Sequence, residues 1–310
     1  MTPIRRFTLR GKAALCSLVL LALLLAIWQA ATLPNTPAAT AAATASKATS
    51  AEAAEAAEAA EYAVLMGKAP DPGADGAAAD SIKVTGFPSP AEFAHEAARQ
   101  LAHPFRDNGP NDKGVGIQLG YSLVRVAAGY AIALLVAVPL GFVIGMSRLA
   151  FLAFNPFIQV LKPISPLAWM PIALYTIKSS SASAVFVIFI CSVWPMLVNT
   201  AFGVAGVRRD WLNVARTLEV PPLRSALWVV LPAAAPTIVT GMRISMGIAW
   251  LVIVAAEMLV GGTGIGYFLW NQWNNLSLAS VLFSVLLIGL VGMTLDLLFA
   301  QLQRKVTYVD

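Results

Sequence analysis

The sequence predicts an all-α membrane protein with six transmembrane helices. Three observations carry this expectation. Of the 310 residues, 58% are hydrophobic and only 12% charged, about half the charge of an ordinary soluble domain. The apolar residues gather in runs near the roughly 20 residues that a helix needs to cross the hydrocarbon core. The basic residues behind the net charge of +5 sit at the edges of those runs. That placement orients helices in a bilayer, and it is not the interleaving of basic and aromatic residues that nucleic acid would ask for.

The first run, over 13–31, follows Arg5, Arg6, Arg10 and Lys12. A basic flank before an apolar stretch fits a signal peptide or a first membrane helix, and the length of the run favours an uncleaved helix. Residues 1–34 therefore read as a cytoplasmic tail and first crossing. Residues 35–85 are rich in alanine, with Glu52, Glu55, Glu58 and Glu61 at intervals of three. That interval drifts around a helix and builds no docking face, so the segment reads as an exported linker. Residues 86–115, with Pro88, Ser89 and Pro90 ahead of a helix-like stretch, read as a structured periplasmic segment.

The remaining five runs, over 118–144, 158–177, 184–202, 234–260 and 278–298, form a core at 116–303, followed by a cytoplasmic tail at 304–310. An even number of crossings puts both termini in the cytoplasm. Arg148, Arg208, Arg209, Arg216, Arg224, Arg304 and Lys305 all fall on that side, with Lys178 the exception. Proline and glycine recur inside the runs, which membrane helices tolerate because neighbours satisfy the freed backbone groups.

Several chemistries lack their residues. No GxxxxGK[ST] stretch cradles a phosphate, and no HExxH or GxSxG is present. The glycine-rich stretch at 261–266 has no lysine and reads as a turn. His95 and His103 stand in a polar segment without a cysteine partner and read as solvated rather than metal-bound. Cys16 and Cys191 lie in apolar runs and are expected to stay reduced. No cofactor and no catalytic residue is expected, so the chain reads as a non-catalytic subunit. A stand-alone ion-coupled carrier is the competing class. It would need coupling residues at membrane depth and repeated halves, and no clear repeat is present.

The most informative stretch is the charged loop at 206–232, GVRRDWLNVARTLEVPPLRSALWVVLP. Asn213 is the expected N-cap of a short helix, with Val214, Thr217 and Leu218 at helical spacing. Pro221 and Pro222 end it. An amphipathic helix outside the bilayer needs a partner, or lipid, over its apolar side.

Aligned on Leu231 and Pro232, this loop resembles the cytoplasmic loop of binding-protein-dependent ABC importer permeases. Their pattern is Glu-Ala-Ala, three residues, Gly, nine residues, then Ile-x-Leu-Pro. Val229 holds the Ile position, Glu219 the Gly position, and Asn213, Val214 and Ala215 the opening triplet. Residues 213–259 look like the nitrate/sulfonate/taurine/bicarbonate branch, and within it most like the nitrate-type permeases. In that branch the triplet is commonly Asn-Val-Ala and the glycine is commonly replaced. The similarity runs from about 87 to 306 through FPSP, NDKG, RVAAGY, PLG and LKPISPLAWMPIAL. Residues 35–80 lie outside it as an insertion. Glu219 in the glycine position removes a flexible turn from the expected helix.

The resemblance implies a type I ABC importer permease-like bundle in the bacterial inner membrane. It implies two ABC ATPase subunits that hydrolyse the ATP, a periplasmic or lipid-anchored solute-binding protein, and a second permease copy, a homodimer by default. It implies a small anion as substrate, nitrate or nitrite first, with sulfonates, taurine, cyanate and bicarbonate as alternatives. Asn213, Val214, Ala215, Arg216, Thr217, Leu218, Glu219 and Arg224 would form the contact with the ATPase.

Ionisable residues inside the membrane are costly and mark functional candidates. Arg125 falls in the second crossing, Arg243 and Glu257 in the fifth and Asp296 in the sixth. Arg125 or Arg243 would hold an anion transiently, with Trp250 and Glu257 beside the path. The competing reading is structural pairing between helices, Arg125 with Glu257. Arg243 and Glu257 stand about 21 Å apart along one helix and do not pair with each other. Trp169, Trp194 and Trp250 line the path or pack.

Overall fold

The computed structural model describes residues 9–32, 87–107, 109 and 113–306. The expected linker at 35–85 and the end of the tail at 307–310 lie outside the described residues. Ten helices lie among those described, and the chain divides into two units after Ala94.

In the first unit, α1 (Leu9–Thr32) presents leucines outward from Leu18 to Leu25, as a lipid-facing helix does. Trp28 near its end donates from Nε1 to the Pro88 carbonyl (2.9 Å) and meets Phe87 and Phe93 edge-on. The sequence Ser-Pro-Ala-Glu starts α2 (Pro90–Ala102) with a capping box. Ser89 N–H donates to Glu92 and Glu92 N–H donates to Ser89 Oγ, which satisfies two of the four amides that a helix start leaves open.

The second unit is built around α6 (Ser180–Ala205), packed between α3 (Val115–Met146) and α8 (Pro222–Val260). The α3–α6 contact is close because small residues recur every fourth position on α3. Ala133 and Ala137 are fully buried. A Cβ on Gly141 would lie 2.7 Å from the Leu197 carbonyl, and one on Gly129 would lie 2.8 Å from Ile188. Lipid tails are as apolar as leucine, so membrane helices associate through such close backbone approach. Gly141→Leu is therefore expected to destabilise the bundle by about 1–3 kcal/mol. Thermal unfolding of the detergent-solubilised protein checks this, and an unshifted transition would show that the seam carries little of the stability.

The run expected over 158–177 is broken in the structure. It consists of α4 (Arg148–Leu161) and α5 (Pro166–Ile177), which meet at 92°. Two prolines make the break. Pro166 pushes Ser165 out of helical backbone geometry, and Ser165 then caps α5 by accepting from Leu167 N–H. The fifth crossing also differs. It starts at Pro222, well before 234, and continues through Pro232 because a π-turn at Ala226–Val230 re-registers the backbone ladder, with Leu231 N–H on the Ala226 carbonyl.

Helix α9 (Ile265–Asn274) begins at the end of the stretch read as a turn, and α10 (Leu278–Val306) runs past 298. Among the described residues α3, α6, α8 and α10 are each long and apolar enough to cross a membrane, and the bent α4–α5 pair makes a fifth crossing if it is one span. We call the end of this unit that carries the α8–α9 loop upper, and the end that carries α7 lower.

Within the second unit, which takes in α2 from His95 onward, Glu96 is buried and accepts from Ser280 Oγ (2.8 Å), Gln100 Nε2 (2.7 Å) and Arg99 (2.9 Å). Burial opposes its ionisation, but these donors outweigh it and hold the carboxyl below its ordinary value.

Candidate functional site: an exposed lower helix and paired charges

The segment 206–232 folds as a short helix followed by the start of α8. Gly206 ends α6, and α7 (Arg209–Thr217) begins three residues later. Asn213 therefore sits inside α7 and is not its N-cap. The helix starts earlier because α6 ends at Gly206 and Asp210 suits the first turn.

Its C-terminus is a complete Schellman turn. Val220 N–H donates to the Ala215 carbonyl and Glu219 N–H to the Arg216 carbonyl, both at 3.0 Å. The residue at the crux is Glu219, with φ +51°. The left-handed turn is thus kept without glycine, contrary to the sequence expectation, and a Cβ there carries a cost of about 1 kcal/mol. Glu219→Gly is expected to raise stability by about that amount. The melting temperature of the purified protein reads it, and a lower value would show that the Glu219 side chain contributes something the backbone does not.

One side of α7 faces the bundle. Ala215 is buried, and Leu212 packs on the cluster of Val204, Val207, Val230, Ala234 and Ile238. The opposite side is bare. Val214 is 59% exposed and Leu218 70% exposed, with Asn213, Arg216, Thr217 and Glu219 around them. Thr217 Oγ1 is spent on the Asn213 carbonyl (3.0 Å). The start of α8 continues the bare surface with Leu223, Arg224 and Trp228. Of the residues singled out in the loop, Ala215 alone points into the fold.

At the upper end Arg125 of α3 and Glu257 of α8 form an ion pair, Nη1 to Oε1 at 2.9 Å, with Glu257 2% exposed. Arg125 also donates to the Thr263 carbonyl (2.6 Å) and to Ser181 Oγ (3.1 Å). Glu257 accepts from Ser122 Oγ (2.8 Å) and from Gly266 N–H (3.1 Å). The α8–α9 loop wraps this carboxylate so closely that a Cβ on Gly264 would collide with it. Ser122 in turn accepts from Ile265 N–H (2.9 Å). The glycine-rich stretch is thus a cradle for Glu257, and it ties α3 to the α8–α9 loop.

Arg243 is also paired. Its guanidinium forks onto Asp296 of α10 at 2.6 and 2.7 Å. Trp250 is buried and donates to the Ile288 carbonyl (3.0 Å), so it packs α8 on α10. The structure therefore brings Arg125 and Glu257 together and keeps Arg243 and Trp250 apart from them. Sequence reasoning missed Ser122, which closes the Glu257 cradle, and Lys162 at the α4–α5 break. The signal for Lys162 was its place between two apolar helices beside Pro163.

The comparisons with known proteins agree with this architecture. The family model described as binding-protein-dependent transport system inner membrane component matches residues 137–308. The chain is 43% identical over 220 residues to the nitrate import permease protein NrtB of Synechocystis sp., covering 71% of this chain and 80% of that one. It is equally 43% identical over 227 residues to the bicarbonate transport system permease protein CmpB of Synechococcus elongatus, covering 72% and 82%. Among solved structures, an inward-facing form of the MetNI methionine ABC transporter superposes with a TM-score of 0.55 at 13% identity, over 61% of this chain and 94% of that one. The helical bundle therefore has the type I ABC importer permease fold, and the chain belongs to the binding-protein-dependent transport system inner membrane component family.

Proposed function

We propose that this chain is the transmembrane permease subunit of an ATP-driven importer for a small oxyanion, with nitrate or nitrite as its cargo. The observation that carries the reading is the 43% identity to the Synechocystis nitrate import permease, extending over most of both chains. Bicarbonate is the second reading, on the equal identity to the bicarbonate permease of Synechococcus elongatus.

In this reading the chain sits in the bacterial inner membrane with both termini in the cytoplasm, and the lower end is cytoplasmic. The bare side of α7 seats in a groove of an ABC ATPase subunit. Val214 and Leu218 supply the apolar contact, Asn213, Thr217 and Glu219 its rim, and Arg216 and Arg224 pair with acidic groups of the ATPase. Ala215 keeps α7 docked to the bundle so that a push on α7 reaches α6 and α8. The complete machine contains two ATPases, a second copy of the permease and a solute-binding protein at the upper end. ATP-driven closure of the ATPases biases a two-state bundle from one side. Hydrolysis belongs to those partners.

The test is uptake of labelled nitrate and of labelled bicarbonate in cells deleted for this chain and restored with it. Nitrate uptake that returns with the chain supports the first reading. Recovery of bicarbonate uptake alone moves the cargo to the second. Uptake of both anions that is indifferent to the chain overturns the anion reading.

A further inference from the structure

The two intramembrane arginines are compensated by carboxylates, and Lys162 is not. It stands at the C-terminal cap of α4, where the chain turns into α5. No hydrogen bond or ion pair to its ammonium is formed among the described residues. Lys162 is exposed on the surface of the chain, and the residues around it lie midway along the bundle. Lys162 lines a cavity of about 240 Å³ with Ser165, Trp169, Cys191 and Trp194. Cys191 and Trp194 lie about 16 and 21 Å from the upper end of α6 at 1.5 Å per residue, near the middle of this 26-residue helix. That depth is beyond the reach of a lysine stem to either surface, so snorkelling does not relieve the charge.

Lys162 also lines a second cavity, of about 340 Å³, with Asn155 and Gln159. Spacings of four and three place Asn155, Gln159 and Lys162 on one face of α4. Neither amide side chain has a hydrogen-bond partner among the described residues. The C-terminus of α4 and the N-terminus of α5 meet at the 92° bend, so their opposite dipole ends offset one another there and the ammonium of Lys162 is the net charge of the place.

We propose that Lys162, with Gln159 and Asn155 below it, forms an anion-holding station at mid-membrane depth on the route of a small oxyanion. A bare cation at this depth requires a water-filled route or a counter-charge, and the described residues lining the space around Lys162 enclose two cavities and include no carboxylate. Lysine is a compact point charge with three donors and without the rigid fork of arginine, which suits an anion that must be released again. The inference rests on the importer reading and names the residues that meet its cargo.

The experiment uses the restored deletion cells, with membrane levels of each variant checked by immunoblot. Lys162→Gln is expected to lower nitrate uptake about tenfold or more at unchanged membrane level, and Lys162→Arg is expected to keep most of it. A second arm guards against misfolding. In a Cys16→Ser, Cys191→Ser background, Lys162→Cys is treated with aminoethyl methanethiosulfonate, which forms a mixed disulfide with the thiol, releases methanesulfinate and restores a cationic side chain. Uptake should recover. The sulfonatoethyl reagent should label the thiol without recovery. Wild-type uptake in Lys162→Gln, or a thiol inert to both water-borne reagents, overturns the station while leaving the importer reading intact. Nitrate and bicarbonate uptake that ignore even the unaltered chain overturn the anion reading, and the station with it.

Discussion

Glu257→Ala is expected to cost the protein about 3–5 kcal/mol, the largest loss of any single substitution considered for this chain. The carboxylate is the only counter-charge on Arg125 among the described contacts, and Arg125 is itself only 13% exposed. Removing it strands the guanidinium with the Thr263 carbonyl and Ser181. It also empties the acceptor used by Ser122 and by the Gly266 amide. The penalty comes mainly from the charge left behind. Glu257→Gln should therefore remain destabilising although its amide keeps part of the hydrogen bonding. The double variant Arg125→Leu with Glu257→Leu should recover most of the loss. Thermal unfolding of the solubilised chain measures all three. Equal stability of Glu257→Ala and the unaltered chain would mean that the cradle does not hold the upper end together.

Leu218→Asp is expected to abolish anion uptake, by at least about tenfold, without reducing the amount of protein in the membrane. Leu218 is 70% exposed at the end of α7, so the fold loses no packing when it changes. With α7 seated on an ATPase as proposed, an aspartate there would be buried unpaired, a change worth about 2–5 kcal/mol at an interface. Ala215→Asp makes the contrast. Ala215 is 6% exposed and faces the bundle, so that substitution should lower the membrane level itself. Measuring uptake beside an immunoblot separates the two. Leu218→Asp cells that transport normally would remove α7 from the coupling contact.

The crossings and the special character of 206–232 were legible because both are local. Long apolar runs have one solution in lipid, since every backbone group must be satisfied inside the segment. A charged amphipathic stretch among such runs stands out by composition alone. The errors were also local. The run at 158–177 was read through Pro163 and Pro166, although a proline restricts its predecessor and Ser165 is a ready cap. Asn213 attracted the N-cap assignment by residue type, whereas the end of α6 at Gly206 fixed where α7 begins. Glu219 was expected to remove a turn that the structure keeps at positive φ, because the Schellman hydrogen bonds outweigh a strain of about 1 kcal/mol.

The sequence by itself determined that this is an all-α membrane chain, where its charged amphipathic loop lies, and which family it belongs to. Each of those is carried by residues adjacent along the chain. Only the tertiary structure decided what the charges do. Arg125 and Glu257 are 132 residues apart in sequence, and Arg243 and Asp296 are 53 apart. No periodicity connects partners at such separations. For Arg125 and Glu257 burial makes the choice, because a charge in a low-dielectric interior must find its opposite or meet water; Arg243 and Asp296 pair on a more open face, 37% and 53% exposed. Two arginines found carboxylates through the packing of α8 against α3 and α10. Lys162, turned outward at the α4–α5 break, did not.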